Sequence, residues 1–213
     1  DLHGLNTLEH QPAKIAAIEA IWETERGAPL LLFAMPNQET RSNDYAISLP
    51  KGASLILTHN PEGELKGLSE FGDKYPPVAP VFWTFRVMVG VGLLMLAASW
   101  LGALLLIRHR EFPRWLLWTY SGMTFSGWIA VLAGWLTTEI GRQPYIVYGV
   151  IMTADTASTV PAAYIATTFI GYALVYSLLL ISYMVVLTQL ARGEAEGKGR
   201  DLAAPGALRP QVL

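Results

Sequence analysis

Between residues 87 and 191 the chain carries seven charged side chains; the other 25 lie in the flanking 108 residues. That distribution constrains the fold more than any motif. Crossing hydrocarbon takes a helix of about 20 apolar residues. Lipid offers the backbone no hydrogen-bond partners, so each segment must satisfy its own and open strands are disfavoured. Residues 87–107 are uncharged, and the apolar stretch begins near Val78; residues 115–138 form a second run; a third lies within 156–191. Pro161 suits the first turn of that third helix. The sequence therefore predicts an all-α integral membrane fold with three transmembrane helices, over about 78–107, 114–138 and 161–191.

The basic residues orient these helices. The first connection, residues 108–114, holds three arginines, whereas the second, 139–160, holds only Arg142. The tail carries Arg192, Lys198, Arg200 and Arg209. The positive-inside rule puts residues 108–114 and 193–213 in the cytoplasm, and residues 1–77 and 139–160 outside. Residues 193–213, rich in Gly, Ala, Pro and charge, read as a disordered tail.

Residues 1–77 form a polar head, expected to be mostly irregular. Residues 12–24 (PAKIAAIEAIWET) predict a short amphipathic helix opening on Pro12 and interrupted by Lys14 and Glu19. Residues 30–34, 45–49 and 53–58 read as short strands between turn signals at Pro36-Asn37, Ser42-Asn43 and Lys51-Gly52. So few strands cannot enclose a core, so the head is expected to rest on the membrane domain.

Composition closes several routes. With no cysteine, disulfides, thiolate metal sites and cysteine nucleophiles are excluded. A net charge of −2 argues against nucleic acid as a partner. Ionisable groups at membrane helices are costly and point to function. Glu139 ends the second helix, with Trp135 four residues earlier on the same face and Arg142 one turn later. A structural Glu139–Arg142 pair is the plain alternative. For Met88 the plain alternative is packing, for Arg86 snorkelling to the interface, and for Lys14 and Glu19 solvation. The helix directions bring all of these to the outer face. A thioether and a carboxylate can ligate haem iron, and arginine suits propionates or a quinone anion.

The chain resembles a known family in three ordered segments. Gly141-Arg-Gln-Pro-Tyr145, preceded by Ala133-Gly-Trp-Leu-Thr-Thr-Glu139, resembles the GRQP signature of cytochrome bd-type quinol oxidase subunit I. Phe82-Trp-Thr-Phe-Arg-Val-Met-Val-Gly90 resembles its FRxMVG segment, and Gln11-Pro-Ala-Lys-Ile-Ala-Ala-Ile-Glu19 its quinol-loop segment. The resemblance covers nearly all of residues 1–192, and the short head resembles the short-loop, cyanide-insensitive type.

The resemblance implies roles position by position. Met88 matches the axial methionine of the low-spin haem b, and Arg86 the arginine beside it. Glu139 matches the glutamate ligand of the high-spin haem b, with Trp135 packed nearby. Lys14 and Glu19 match residues that oxidise quinol, and Arg142 is expected to contact a propionate or fix its loop. The implied reaction is electrogenic: quinol is oxidised at the outer face of the bacterial inner membrane, and oxygen is reduced at the high-spin haem b and a haem d or substituting haem b.

The family subunit has about nine helices, so the chain resembles its C-terminal part. The haem-ligating histidines expected from the family's first half are not in this sequence. The expected partners are therefore that N-terminal half, subunit II, possible small accessory subunits and membrane lipid. Alone, the chain is not expected to reduce oxygen. Two alternatives stand beside this reading: a haem- or quinol-binding membrane module without oxygen reduction, and a three-helix structural or transport protein.

Overall fold

Pro12 has no N–H to lose and sits in the first turn of a helix, α2 (Pro12–Glu19), where that donor would be unpaired in any case. A separate helix, α1 (Leu2–His10), which the sequence did not announce, precedes it. In the computed structural model, which describes residues 2–109, 112–156 and 158–203, α2 is buried on every face from Ala13 to Glu19. The expected amphipathic helix is thus an enclosed one. Its alanines and isoleucines leave no polar stripe, and such a helix is stable only when covered all round.

The cover comes from the rest of the head, which is more regular than expected. After short strand β1 (Glu25–Arg26), β2 (Leu30–Asn37) and β3 (Ser42–Leu49) form an antiparallel hairpin. Its turn is fixed by Asn37, whose Oδ1 accepts the N–H groups of Glu39 at 3.0 Å and Thr40 at 3.3 Å. Residues 53–58, expected as a strand, instead form helix α3 (Gly52–Thr58). The helix turns Ser54 inward, where it donates its hydroxyl to Gly63 O at 2.8 Å and accepts from the distant Ala28 N–H at 2.7 Å. β4 (Glu64–Leu65) pairs with β1.

A single turn of 3-10 helix at Leu68–Phe71 then crosses under the end of α2. The N–H groups of Leu68 and Ser69 donate to the carbonyls of Ile21 (2.9 Å) and Trp22 (3.0 Å). This approach requires glycine at position 67, where an added Cβ would stand 2.3 Å from the carbonyl carbon of Glu23. Gly67→Ala should therefore destabilise the protein by about 1–3 kcal/mol, a typical cost of overpacking. A lowered thermal midpoint measures it; an unchanged one would show that the crossing can shift.

The membrane-length helix α4 (Val78–His109) matches the first expected span. One side of its first turns belongs to the head: Val78, Val81 and Phe82 are fully buried against Ile15, Ile18 and Leu31. The head thus rests on the membrane helix, as expected.

The second expected span is not one helix. It divides into α5 (Arg114–Gly122) and α6 (Ser126–Ile140). Among the described residues, two helices, Val78–Arg108 and Ala162–Gly193, have the length and hydropathy of a continuous span. Gly122 weakens the helix at the break, where Ser121 O accepts both the N–H (3.3 Å) and the hydroxyl (2.7 Å) of Thr124, and Met123 O both the N–H (2.9 Å) and the hydroxyl (2.7 Å) of Ser126. Both pieces pack on α4. Tyr120 donates to Ala98 O at 3.0 Å over Gly102, whose missing Cβ leaves room for the phenol. Thr137 donates to Thr84 Oγ1 at 2.9 Å.

After α6, β5 (Tyr145–Val147) and β6 (Ile151–Met152) make a small hairpin. Residues 158–213 form a separate unit, carried by helix α7 (Ala162–Ala203). This helix extends through part of the tail expected to be disordered. Residues 204–213 of that tail, Arg110 and Glu111 of the basic connection, and Ala157 lie outside the described residues.

Candidate functional site

Lys14 and Glu19 are five residues apart on α2, which turns them about 140° from each other. The structure puts a separate cluster of charges at each. Neither is solvated: their exposures are 9% and 6%.

At the Glu19 end the partner is Arg86 of α4. Nη2 donates to Glu19 Oε2 at 3.2 Å and to Leu31 O at 2.5 Å; Nη1 donates to Ile18 O at 2.6 Å and Phe82 O at 3.3 Å; Nε donates to Leu31 O at 2.8 Å. The guanidinium carbon lies 3.4 Å from the centroid of the Phe82 ring. Arg86 therefore does not snorkel. It ties α4 to α2 and to β2 at one point. Burial pushes the Glu19 carboxyl above the usual carboxylate range, and the adjacent Arg86 charge and hydrogen bond oppose that rise.

At the Lys14 end stands the loop after α6. Arg142 Nη2 donates to Glu139 Oε2, so the plain pairing foreseen between these residues exists, with the two side chains 35% and 44% exposed. The Lys14 stem lies on Gly141, where a Cβ would come 3.1 Å from its Cγ. Burial lowers the Lys14 pKa, as does the Arg142 charge, while Glu139 acts the other way. Tyr148 reaches the same helix end and hydrogen-bonds the Ala13 backbone; burial raises its phenol above the ordinary value and that bond opposes the rise. The Gln143–Pro144 bond in this loop is cis.

Met88 lies half-buried on α4, two residues beyond Arg86, with its sulfur on Gly134 of α6: a Cβ at position 134 would stand 2.7 Å from it. Trp135 is 59% exposed and shares a face of α6 with Glu139. A polarizable thioether and a partly exposed carboxylate are each donors that fit ligation of haem iron. The guanidinium of Arg86 fits a propionate less well, because its bonds go to three carbonyls and Glu19.

Five of the seven candidates are thus joined in two groups, Glu19–Arg86 and Lys14–Glu139–Arg142, with Met88 and Trp135 on the adjoining helices. Sequence reasoning missed Leu31, Ile18, Asn43 and Tyr148. The first two act through main-chain carbonyls, which no residue type reveals. Tyr148 lay near enough to the GRQP segment to be noticed.

Comparison with known proteins agrees with the three segments. The family model described as cytochrome bd terminal oxidase subunit I matches residues 1–195. Cytochrome bd ubiquinol oxidase subunit 1 of Bacillus subtilis is 34% identical over 187 residues, covering 81% of this chain and 40% of that protein. A putative cytochrome bd menaquinol oxidase subunit I of the same organism is 32% identical over 184 residues, covering 84% and 40%. The solved bd oxidase from Geobacillus thermodenitrificans superposes with a TM-score of 0.72 at 30% identity, over 90% of this chain and 44% of that one. The chain spans about 40% of the length of these two curated relatives. With the matched model covering nearly all of α1 to α7, this chain belongs to the cytochrome bd terminal oxidase subunit I family.

Proposed function

We propose that this chain works as the C-terminal part of the haem-bearing subunit of a bd-type terminal oxidase and carries its quinol-oxidising segment on α2. One observation carries the reading: Lys14 and Glu19, buried charges on one short helix, contact respectively the GRQP loop and the FRxMVG segment. Burying two charges is expensive, and this helix connects the groups that electrons and protons from quinol must reach.

Two-electron oxidation of a quinol releases two protons. Glu19, with a raised pKa, is suited to accept one more readily than an exposed carboxylate. Lys14, with a lowered pKa, is suited to hold a quinol oxygen and to give up its own proton more readily than an exposed lysine. Met88 would hold the low-spin haem b iron and Glu139 the high-spin one, with Trp135 flanking the latter and Arg142 fixing the carboxylate. When bound, the haems supply one-electron carriers and the iron at which oxygen is reduced to water. The third haem, d or a substituting b, would need ligands from elsewhere in the complex.

The proposed setting is the bacterial inner membrane. Residues 1–77 and 139–160 lie outside, residues 108–114 and the tail in the cytoplasm, and α5 and α6 cross together as a broken second span. The proposed partners are the N-terminal portion of such a subunit, subunit II, small accessory subunits and lipid.

Glu19→Gln tests the reading in the assembled complex. It should lower quinol kcat/KM by about 100-fold or more, the usual scale of a lost general base, with the haem spectrum retained. The sign of the pH effect follows from the raised pKa. The ionised carboxylate is the active form, so kcat/KM falls as pH drops through that pKa, and Glu19→Gln removes this acidic limb. Normal quinol kinetics in Glu19→Gln would reject the assignment. A reduced-minus-oxidised spectrum with low-spin b, high-spin b and d bands supports oxygen reduction, whereas b alone favours a module without it.

A further inference from the structure

We propose that Asn43 is a positioning residue of the quinol-oxidising site, acting on Glu19 through the end of α2; this rests on the reading of Glu19 given above. α2 stops one residue after Glu19, at Ala20, which is a buried, non-glycine residue in the left-handed region (φ 51°). Such a conformation is strained for alanine and persists only where the surroundings impose it. The N–H groups near this turn are used within the helix end: Ala20 N–H donates to Ala17 O at 3.3 Å and Ile21 N–H to Ala16 O at 2.9 Å. The reversal sends the Ala20 carbonyl away from the helix, where a buried acceptor needs a donor.

Asn43 supplies that donor. Its Nδ2 donates to Ala20 O at 2.9 Å, and its Oδ1 accepts from Trp22 Nε1 at 3.0 Å. The orientation of the carboxamide is settled by chemistry, because an indole N–H only donates and a carbonyl only accepts. One side chain therefore satisfies the groups on both sides of Ile21 and holds the left-handed turn. A hydroxyl is too short to span both partners, and an aliphatic side chain satisfies neither.

Asn43 itself is placed by the hairpin register, opposite Pro36. The same hairpin gives Leu31 O to Arg86, which bonds the Glu19 carboxylate. The hairpin thus fixes Glu19 from two sides: at its carboxylate through Leu31 and Arg86, and at the following backbone turn through Asn43. Asn43 touches neither charged group, so its effect on the chemistry must pass through the position of α2.

The test uses the assembled oxidase complex and Asn43→Leu, which keeps the volume and removes both hydrogen bonds. Quinol kcat/KM should fall by roughly tenfold or more, as expected when a reacting group is displaced by a fraction of an ångström to an ångström. The reduced-minus-oxidised haem spectrum should be unchanged. In a Glu19→Gln background the same substitution should cause no further loss, because a residue that acts through Glu19 has nothing left to act on. Normal kinetics in Asn43→Leu, or losses that simply add in the double variant, overturn the proposal. If Asn43→Leu does not assemble, Trp22→Phe, which removes the indole N–H that orients the carboxamide, is judged by the same two criteria. An impaired Glu19→Gln with a normal Asn43→Leu rejects only the latch, whereas a normal Glu19→Gln rejects the reading beneath it.

Discussion

Met88→Leu is expected to abolish or strongly shift the low-spin haem b band of the assembled oxidase while leaving the protein folded. The two effects separate because the substitution separates the two properties of methionine. Leucine keeps the volume that rests on Gly134, and volume-conserving exchanges usually cost less than about 1.5 kcal/mol. What it removes is the sulfur, the one atom of that side chain that can ligate iron. Ordinary packing, the plain alternative for this residue, predicts the opposite: a small change in stability and no change in spectrum. An unaltered low-spin haem b band in a folded Met88→Leu complex would reject the ligand role.

Arg86→Leu is expected to have the largest effect on stability. Glu19 would remain buried with its countercharge gone, and removing one partner of a buried pair costs about 3–5 kcal/mol. The carbonyls of Ile18 and Leu31 would lose their donor as well. The predicted result is a lowered thermal midpoint, a head that becomes sensitive to protease, and quinol oxidation at least as weak as in Glu19→Gln. Adding Glu19→Gln to Arg86→Leu should recover part of the midpoint, since it removes the uncompensated charge. An unchanged midpoint in Arg86→Leu would sink the clamp. The haem spectrum reports on the other role that family resemblance implies: an arginine that acts on a propionate shifts the low-spin haem b band, and Glu19→Gln would not restore it.

The parts of the fold that were legible in the sequence are those governed by local composition. Residues 78–107 and 161–191 are apolar for long enough that a helix is the one economical structure, and α4 and α7 follow. Pro12 announced the start of α2, and apolar runs announced strands at 30–34 and 45–49, which the structure lengthens through the expected turn residues and pairs as a hairpin. The failures have a shared cause. Residues 53–58 form a short apolar run between turn signals, as a strand does, but with Ser54 bonded to Ala28 and Gly63 the segment coils into α3. Residues 115–138 are uncharged throughout, but at 123–125 the backbone bonds span three residues and the Thr124 and Ser126 hydroxyls share the same carbonyls, which a hydropathy average cannot register.

The candidate site divides in the same way. The charged and thioether residues stood out by their cost in or beside a membrane, and the three segments showed which family they match. The sequence by itself thus determined the family and two long apolar helices, and it named seven residues to watch. Only the tertiary structure decided that Glu19 meets Arg86, that Lys14 meets Gly141 and the Glu139–Arg142 pair, and that Asn43 closes the turn between Ala20 and Trp22. The reason is physical. Charge and hydropathy belong to each residue and can be read one at a time. The partners of a buried charge are set by distant main-chain carbonyls and by which glycines let chains approach, and those exist only once the chain has folded.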